Sequence, residues 1–208
     1  MGAEFTLSYE SLQGAPLFIC NKKKSMKKII KKYVTISAVI CAAMFGLTAL
    51  FWDKLGFDYS MLLGYATMIL SLGVIFFAVQ SYKNSVGKGY ISFKQAFKIG
   101  LVITLISSAI YCLCWMVIYY NTEPNIMEEY GRYMVEQMKA AGKPAEYIAA
   151  KQAENAKFMK LYENPITNFF LVFFVEPFPI GIIISLIAAL ILRSKDKPKA
   201  EYSFNQLF

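Results

Sequence analysis

One residue stands out by its type and its place. Glu176 is an acid inside an otherwise apolar run, in the segment Val175-Glu176-Pro177-Phe178-Pro179-Ile180-Gly181. A carboxyl group at bilayer depth costs about 2.5 kcal/mol or more on insertion scales. Pro177 and Pro179 have no N–H to offer the carbonyls of Phe173 and Val175, so a helix through this segment must kink or open. Two carbonyls without helical partners, beside a carboxyl, form a group of acceptors for a proton, a cation or a ligand hydroxyl. No Lys or Arg stands at matching depth, so Glu176 is expected to be neutral or hydrogen-bonded to hydroxyls on other helices. Counted from the outer boundary, Tyr111, Ser107, Thr67 and Ser71 are the hydroxyls within reach. Three roles stay open for Glu176. It could join helices as a buried polar group, serve a proton or ligand site in a broken helix, or snorkel to the outer head groups.

Other chemistry is sparse. The sequence contains no His, which removes His-based acid/base catalysis, His-activated nucleophiles and His metal sites. Cys20, Cys41, Cys112 and Cys114 form no metal-ligand pattern, and Cys112 and Cys114 point in different directions on a helix. No nucleophile–base pair stands out. Gly87-Lys88-Gly89 lacks the spacing and preceding strand of a phosphate-binding loop. The expectation is a protein that is not an enzyme and holds no metal or cofactor.

Glu176 must be positioned by membrane helices. The chain has 208 residues, 57% of them hydrophobic and 17% charged, with a mean hydropathy of +0.43. Soluble domains average about 45–50% apolar and 25% charged. A bilayer core of about 30 Å needs roughly 20 apolar residues in a helix. Four stretches qualify, at about 34–52, 61–80, 99–120 and 167–192, and only the last carries a charge, Glu176. The runs are apolar on both parities, which argues against barrel strands. The first run is long for a cleaved signal peptide and has no small-residue cleavage site, so it reads as a retained helix.

Charge sets the expected orientation. Seven lysines, Lys22 to Lys32, precede the first span; Lys83, Lys88, Lys94 and Lys98 lie between the second and third; Arg193, Lys195, Lys197 and Lys199 follow the fourth. These hold most of the excess behind the net charge of +8. The long segment 121–166 is nearly neutral. Both termini are therefore expected in the cytoplasm of a bacterium, with the protein in its inner membrane. Nucleic-acid binding is not needed to explain the charge. Trp52, Tyr59, Tyr119 and Tyr120 fall at outer boundaries, where amphipathic rings settle.

The segment 121–166 reads as an extracytoplasmic helical hairpin. Asn125 and Glu128 resemble a capping box. Met127, Tyr130, Met134, Met138 and Ala141 form one apolar stripe, and Glu128 and Arg132 an i,i+4 pair. Gly142 suits the stop, Pro144 the first turn of a second helix ending near Tyr162. The stripe is either a face packed on the bundle or the lipid interface, or an adaptable platform for a partner or an amphiphilic ligand. The inner segment 81–98 is basic. Ser92 and Gln95 suggest a capping box for a short helix before the membrane, with Phe93 and Phe97 on one side. Lys83, Lys88, Lys94 and Lys98 are candidates for binding an anionic head group or a lipid-linked phosphate, beside their plain role in orientation. Gly100, Thr104 and Ser108, and Gly181, Ser185 and Ala189, repeat every four residues as stripes for close helix approach.

The chain thus divides into three parts. Residues 1–25 are expected to be a non-native or disordered extension, from a start codon read too far upstream, or else a short cytoplasmic interaction arm. Residues 26–194 form an all-α, four-span membrane domain. Residues 195–208 are a cytoplasmic tail. Gln80-Ser81-Tyr82-Lys83, the run from Gly89 to Gly100, and Val175 to Gly181 resemble motifs of an uncharacterised bacterial four-helix membrane family, domain of unknown function 4199. The resemblance covers about 27–194 and includes the span order and the long third loop; it implies no reaction. The leading expectation is an accessory or scaffold subunit that binds lipid, a partner membrane protein or a second copy of itself. The alternative is a small carrier or proton-linked transporter centred on Glu176.

Overall fold

The computed structural model describes residues 7–121 and 126–194. Seven helices follow one another: α1 (Leu7–Leu50), α2 (Trp52–Ser85), α3 (Phe93–Asn121), α4 (Ile126–Ala140), α5 (Ala145–Glu163), α6 (Pro165–Val175) and α7 (Pro177–Leu192). Four helical stretches are long and apolar enough to span a membrane: Lys22–Leu50, Gly56–Ser85, Phe93–Asn121 and Pro165–Leu192. Each has 28 to 30 residues, about 42–45 Å at 1.5 Å per residue, so each passes beyond the hydrocarbon core. Large apolar side chains point outward all along them, such as Phe77 (64% exposed), Val117 (62%) and Ile191 (63%). Only lipid makes such a surface stable. The protein is an all-α integral membrane protein with four transmembrane helices.

The seam between α3 and α7 is the closest approach in the bundle. A Cβ on Gly100 would stand 2.7 Å from Ser185 Oγ, and one on Gly181 would stand 2.8 Å from Thr104 Oγ1. Moving four residues along α3 moves the contact four residues back along α7, so the two helices run antiparallel in one fixed register. Thr104 and Ser185, both fully buried, share a hydroxyl hydrogen bond of 3.1 Å. Ala96 and Ala189 extend the seam, both at 0% exposure. The two predicted small-residue stripes thus face each other. α3 also packs on α1, α2 and α6, and α7 on α2.

Several boundaries differ from expectation. The segment 53–60 is not a plain loop: α2 starts at Trp52 and is broken only at Gly56, with φ 63°. Phe93 to Lys98 is not a separate interfacial helix but the first turns of α3. Ser92 caps it, with the Gln95 N–H donating to Ser92 Oγ at 3.3 Å. Phe93 and Phe97 stack 6.0 Å apart and pack on the core. The backbone of 7–25 is helical and continuous with the first span. Along its described part, Met26, Ile29, Ile30 and Tyr33 lie against the core while Lys23, Lys24, Lys27, Lys28, Lys31 and Lys32 are exposed. This amphipathic spacing was present in the sequence but masked by the lysine density. The Asn125 capping box and the residues 195–208 lie outside the described residues.

The turn between α4 and α5 follows from Gly142 at φ 67°. Lys143 N–H donates to the Met138 carbonyl and Gly142 N–H to that of Lys139, both at 3.0 Å, which closes α4 in a Schellman motif. Pro144 stands at the N-cap of α5 rather than inside its first turn. At the opposite end, a second device fastens the chain. Ser194 Oγ accepts from the Ile91 N–H and donates to the Gly89 carbonyl, both at 3.3 Å, while Ser194 N–H donates to the Ile91 carbonyl at 2.9 Å. Lys83 Nζ donates to the Leu192 carbonyl at 3.0 Å, satisfying an orphan acceptor at the end of α7. The α2–α3 turn, the end of α7 and the lysine segment of α1 therefore gather at one end of the bundle.

Two outcomes follow. Gly181→Ala should lower stability by about 1–3 kcal/mol through overpacking against Thr104, whereas Gly73→Ala, which meets open space, should stay within about 0.5 kcal/mol; thermal unfolding in detergent compares them. Ser194→Ala should cost about 1 kcal/mol locally and raise amide exchange at Ile91 about fivefold, read by hydrogen-exchange mass spectrometry.

Candidate functional site

The fourth span breaks where the prolines demand it. Glu176 adopts φ −110° and ψ −85°, between the end of α6 and the start of α7. Its N–H still donates to the Val172 carbonyl at 3.0 Å, closing α6. Pro177 then opens α7 without an N–H. Pro177 is buried and Pro179 half-buried, and neither reaches the space described next. They act through the backbone.

Glu176 lines a cavity of about 480 Å³. Its walls come from α1 (Phe45), α2 (Thr67), α3 (Tyr111), α4 (Tyr130) and α5 (Tyr162), with Glu176 itself between α6 and α7. The space lies between the spans and the α4–α5 pair. Glu176 is, among the described residues, the single charged residue of the lining, which includes neither Lys nor Arg. Among the described residues, no hydrogen bond or ion pair ends on its carboxyl group. Tyr111 is 5% exposed, and its ring packs edge-on to Phe45 at 5.0 Å. Its hydroxyl points toward Gly64, whose Cβ would stand 3.9 Å away. Burial first, and then the charge of Glu176, push the Tyr162 phenol up to about 12, so this group stays protonated at the cavity wall.

Of the four hydroxyls expected near Glu176, Tyr111 and Thr67 share its cavity. Ser107 and Ser71 do not. Each is 2% exposed and lies one helical turn further from the α4–α5 end. Ser71 Oγ donates to the Met68 carbonyl at 3.3 Å, and Ser107 Oγ is buried without a partner. Met68, which lines the cavity, packs in one cluster with Cys41, Cys112 and Tyr111. Thr67 spends its own hydroxyl proton on the Leu63 carbonyl at 2.7 Å.

The cavity roof is held at two places. Tyr133 on α4 donates a hydrogen bond to Asp58 Oδ1 on α2, which raises its phenol pKa. Phe57 stacks near Tyr130 and Tyr133, at 5.9 and 5.2 Å. At the far side, the Tyr162 carbonyl accepts from Tyr120 Oη at 2.9 Å and from Asn168 Nδ2 at 3.3 Å. Asn168 is fully buried on α6, and the sequence reading passed over it. Its signal was a lone amide just inside an apolar span. Asn164 had a clearer one: an Asn-Pro step whose side chain accepts from the Ile166 and Thr167 N–H groups and starts α6 two residues early.

Lys83, Lys88, Lys94 and Lys98, at the opposite end of the bundle, form no such enclosure. Lys83 is occupied at the end of α7. Lys88 sits in the turn at φ 50°, and Lys94 and Lys98 lie exposed one turn apart on α3. Among the described residues, no group of three or more Cys, Asp or Glu side chains could hold a metal ion.

Comparison with known proteins adds one finding. No curated protein and no solved structure matches the chain. Residues 32–194 match the family described as Protein of unknown function (DUF4199), and since that match takes in most of the first span, the other three spans whole, the Glu176 break and the α4–α5 pair, the chain belongs to that family.

Proposed function

We propose that the protein is a small membrane carrier that binds its solute in the Glu176 cavity, with the carboxyl group as its polar anchor and as a proton site. The observation that carries this reading is the open carboxyl: an acid without a hydrogen-bond partner, facing a cavity at a break in a transmembrane helix. An intramembrane acid with a purely structural role would spend its oxygens on neighbouring helices. Broken helices that expose backbone groups to a cavity are how membrane carriers build binding sites. This favours a carrier over an accessory subunit, for which no comparable feature stands out.

The charge distribution supports an orientation for this carrier. The basic end, with Lys22 to Lys32, Lys88, Lys94, Lys98 and Arg193, faces the cytoplasm of a bacterial cell. The α4–α5 pair lies outside, over the cavity, and Tyr130 and Tyr133 hold it on Phe57 and Asp58. Lys88, Lys94 and Lys98 rest at the inner leaflet, where anionic head groups attract them.

Proteoliposomes under an imposed pH gradient, given a panel of small solutes, test this. The wild-type chain is expected to couple proton movement to the movement of at least one solute. Glu176→Gln removes a charged partner worth about 1.5–3 kcal/mol and should cut that flux about tenfold or more. Solute and proton flux unchanged in Glu176→Gln overturns the carrier reading.

A further inference from the structure

We infer that the solute is a lipophilic organic monocation, a protonated amine or quaternary ammonium on an apolar body. This rests on the carrier reading above and names its substrate class. Charge is the first reason. Among the described residues, the lining carries one acid and no basic side chain, so a bound anion would meet an uncompensated carboxylate, and a neutral apolar solute would leave that group desolvated without a partner. A single positive charge neutralises it.

The broken backbone has the same polarity. α6 ends beside Glu176, and a helix C-terminus presents carbonyls and partial negative charge. α7 begins there, and helix N-termini ordinarily hold anions through free N–H groups. Here Pro177 and Pro179 remove two of the first three donors. The break therefore offers acceptors and withholds donors. Without the prolines, the start of α7 would oppose a cation; with them, that opposition is weakened.

Aromatic rings complete the site. Phe45, Tyr65, Tyr111, Trp115, Tyr130 and Tyr162 line it from five helices. Ring faces attract ammonium groups, and aromatic cages are a recurring way to hold quaternary ones. Met61, Met68, Met127 and Met159 supply adaptable apolar contact for the rest of the solute. A volume of about 480 Å³ falls within the range of about 300–1,000 Å³ typical of drug-sized ligands. A bare divalent cation fits poorly, since calcium takes about six to eight oxygens and the lining offers a single carboxylate.

Equilibrium binding of radiolabelled tetraphenylphosphonium to the full chain in nanodiscs, above empty nanodiscs, tests this. Tetraphenylborate, of the same shape and opposite charge, is the comparison. The wild-type chain is expected to bind the cation saturably and the anion without saturation. Glu176→Gln should weaken cation binding about tenfold or more and Trp115→Leu by a smaller factor. Gly64→Trp, which fills the cavity, should abolish it. Equal saturable binding of both probes, or equal cation binding by wild type and Glu176→Gln, overturns the cation assignment; the carrier reading then stands if Gly64→Trp still blocks the probes. No saturable cation binding also overturns the assignment, and the carrier reading is then judged by the Glu176→Gln flux alone. Displacement of the probe by sodium or calcium chloride but not by tetrabutylammonium assigns the site to an inorganic cation and overturns the inference.

Discussion

Lipid gives apolar side chains no reason to leave it for one another, so helices in a membrane hold together by how closely their backbones approach. The α3–α7 seam answers that constraint. Glycine at 100 and 181 removes the atoms that would hold the helices apart, and Thr104 and Ser185 fill the space with a hydrogen bond. The contact is tight enough to allow one register. That register puts Tyr111 on α3 just past the upper end of the seam, where α7 stops and Glu176 begins. The site is assembled because the seam ends there.

The break is the second constraint, and it works against the first. A seam needs a straight helix, whereas a site needs freed backbone and space. Pro177 and Pro179 separate the two requirements along one span: α7 below them packs closely, and α6 above them turns away to meet α5 and α3. Val172 and Phe173 on α6 join a smaller core with Cys41, Met68 and Cys112. That core forms the cavity floor. The α4–α5 pair covers the top through a few ring contacts and single hydrogen bonds, so the enclosure combines a rigid floor with a lightly held roof.

The lysine-rich end shows how polar residues near a membrane are spent on backbone groups. Lys83 resembled a free head-group ligand in the sequence because lysines in short loops usually face water and lipid phosphate. In the fold its ammonium group caps the end of α7. Ser194 fastens the neighbouring turn with three hydrogen bonds. Phe93 and Phe97, spaced for an interfacial helix, find protein instead, since they lie in the first turns of α3 and pack against the core. A periodic apolar face in a sequence does not say whether lipid or protein will cover it.

Four spans, the break at Glu176, the small-residue stripes and the Gly142 stop were legible in the sequence, for they depend on local covalent properties: run length, missing N–H groups, missing side chains. Depth counting also brought Tyr111 and Thr67 to Glu176. It included Ser107 and Ser71 because counting along a helix gives height within about a turn and says nothing of where packing closes a space. Only tertiary structure decided that the cavity stops short of that lower turn, where both serines are buried. Only it gathered aromatic side chains from five helices around one acid. Residues far apart in sequence share a cavity wall through helix rotation and tilt, which the whole bundle sets and no single segment encodes.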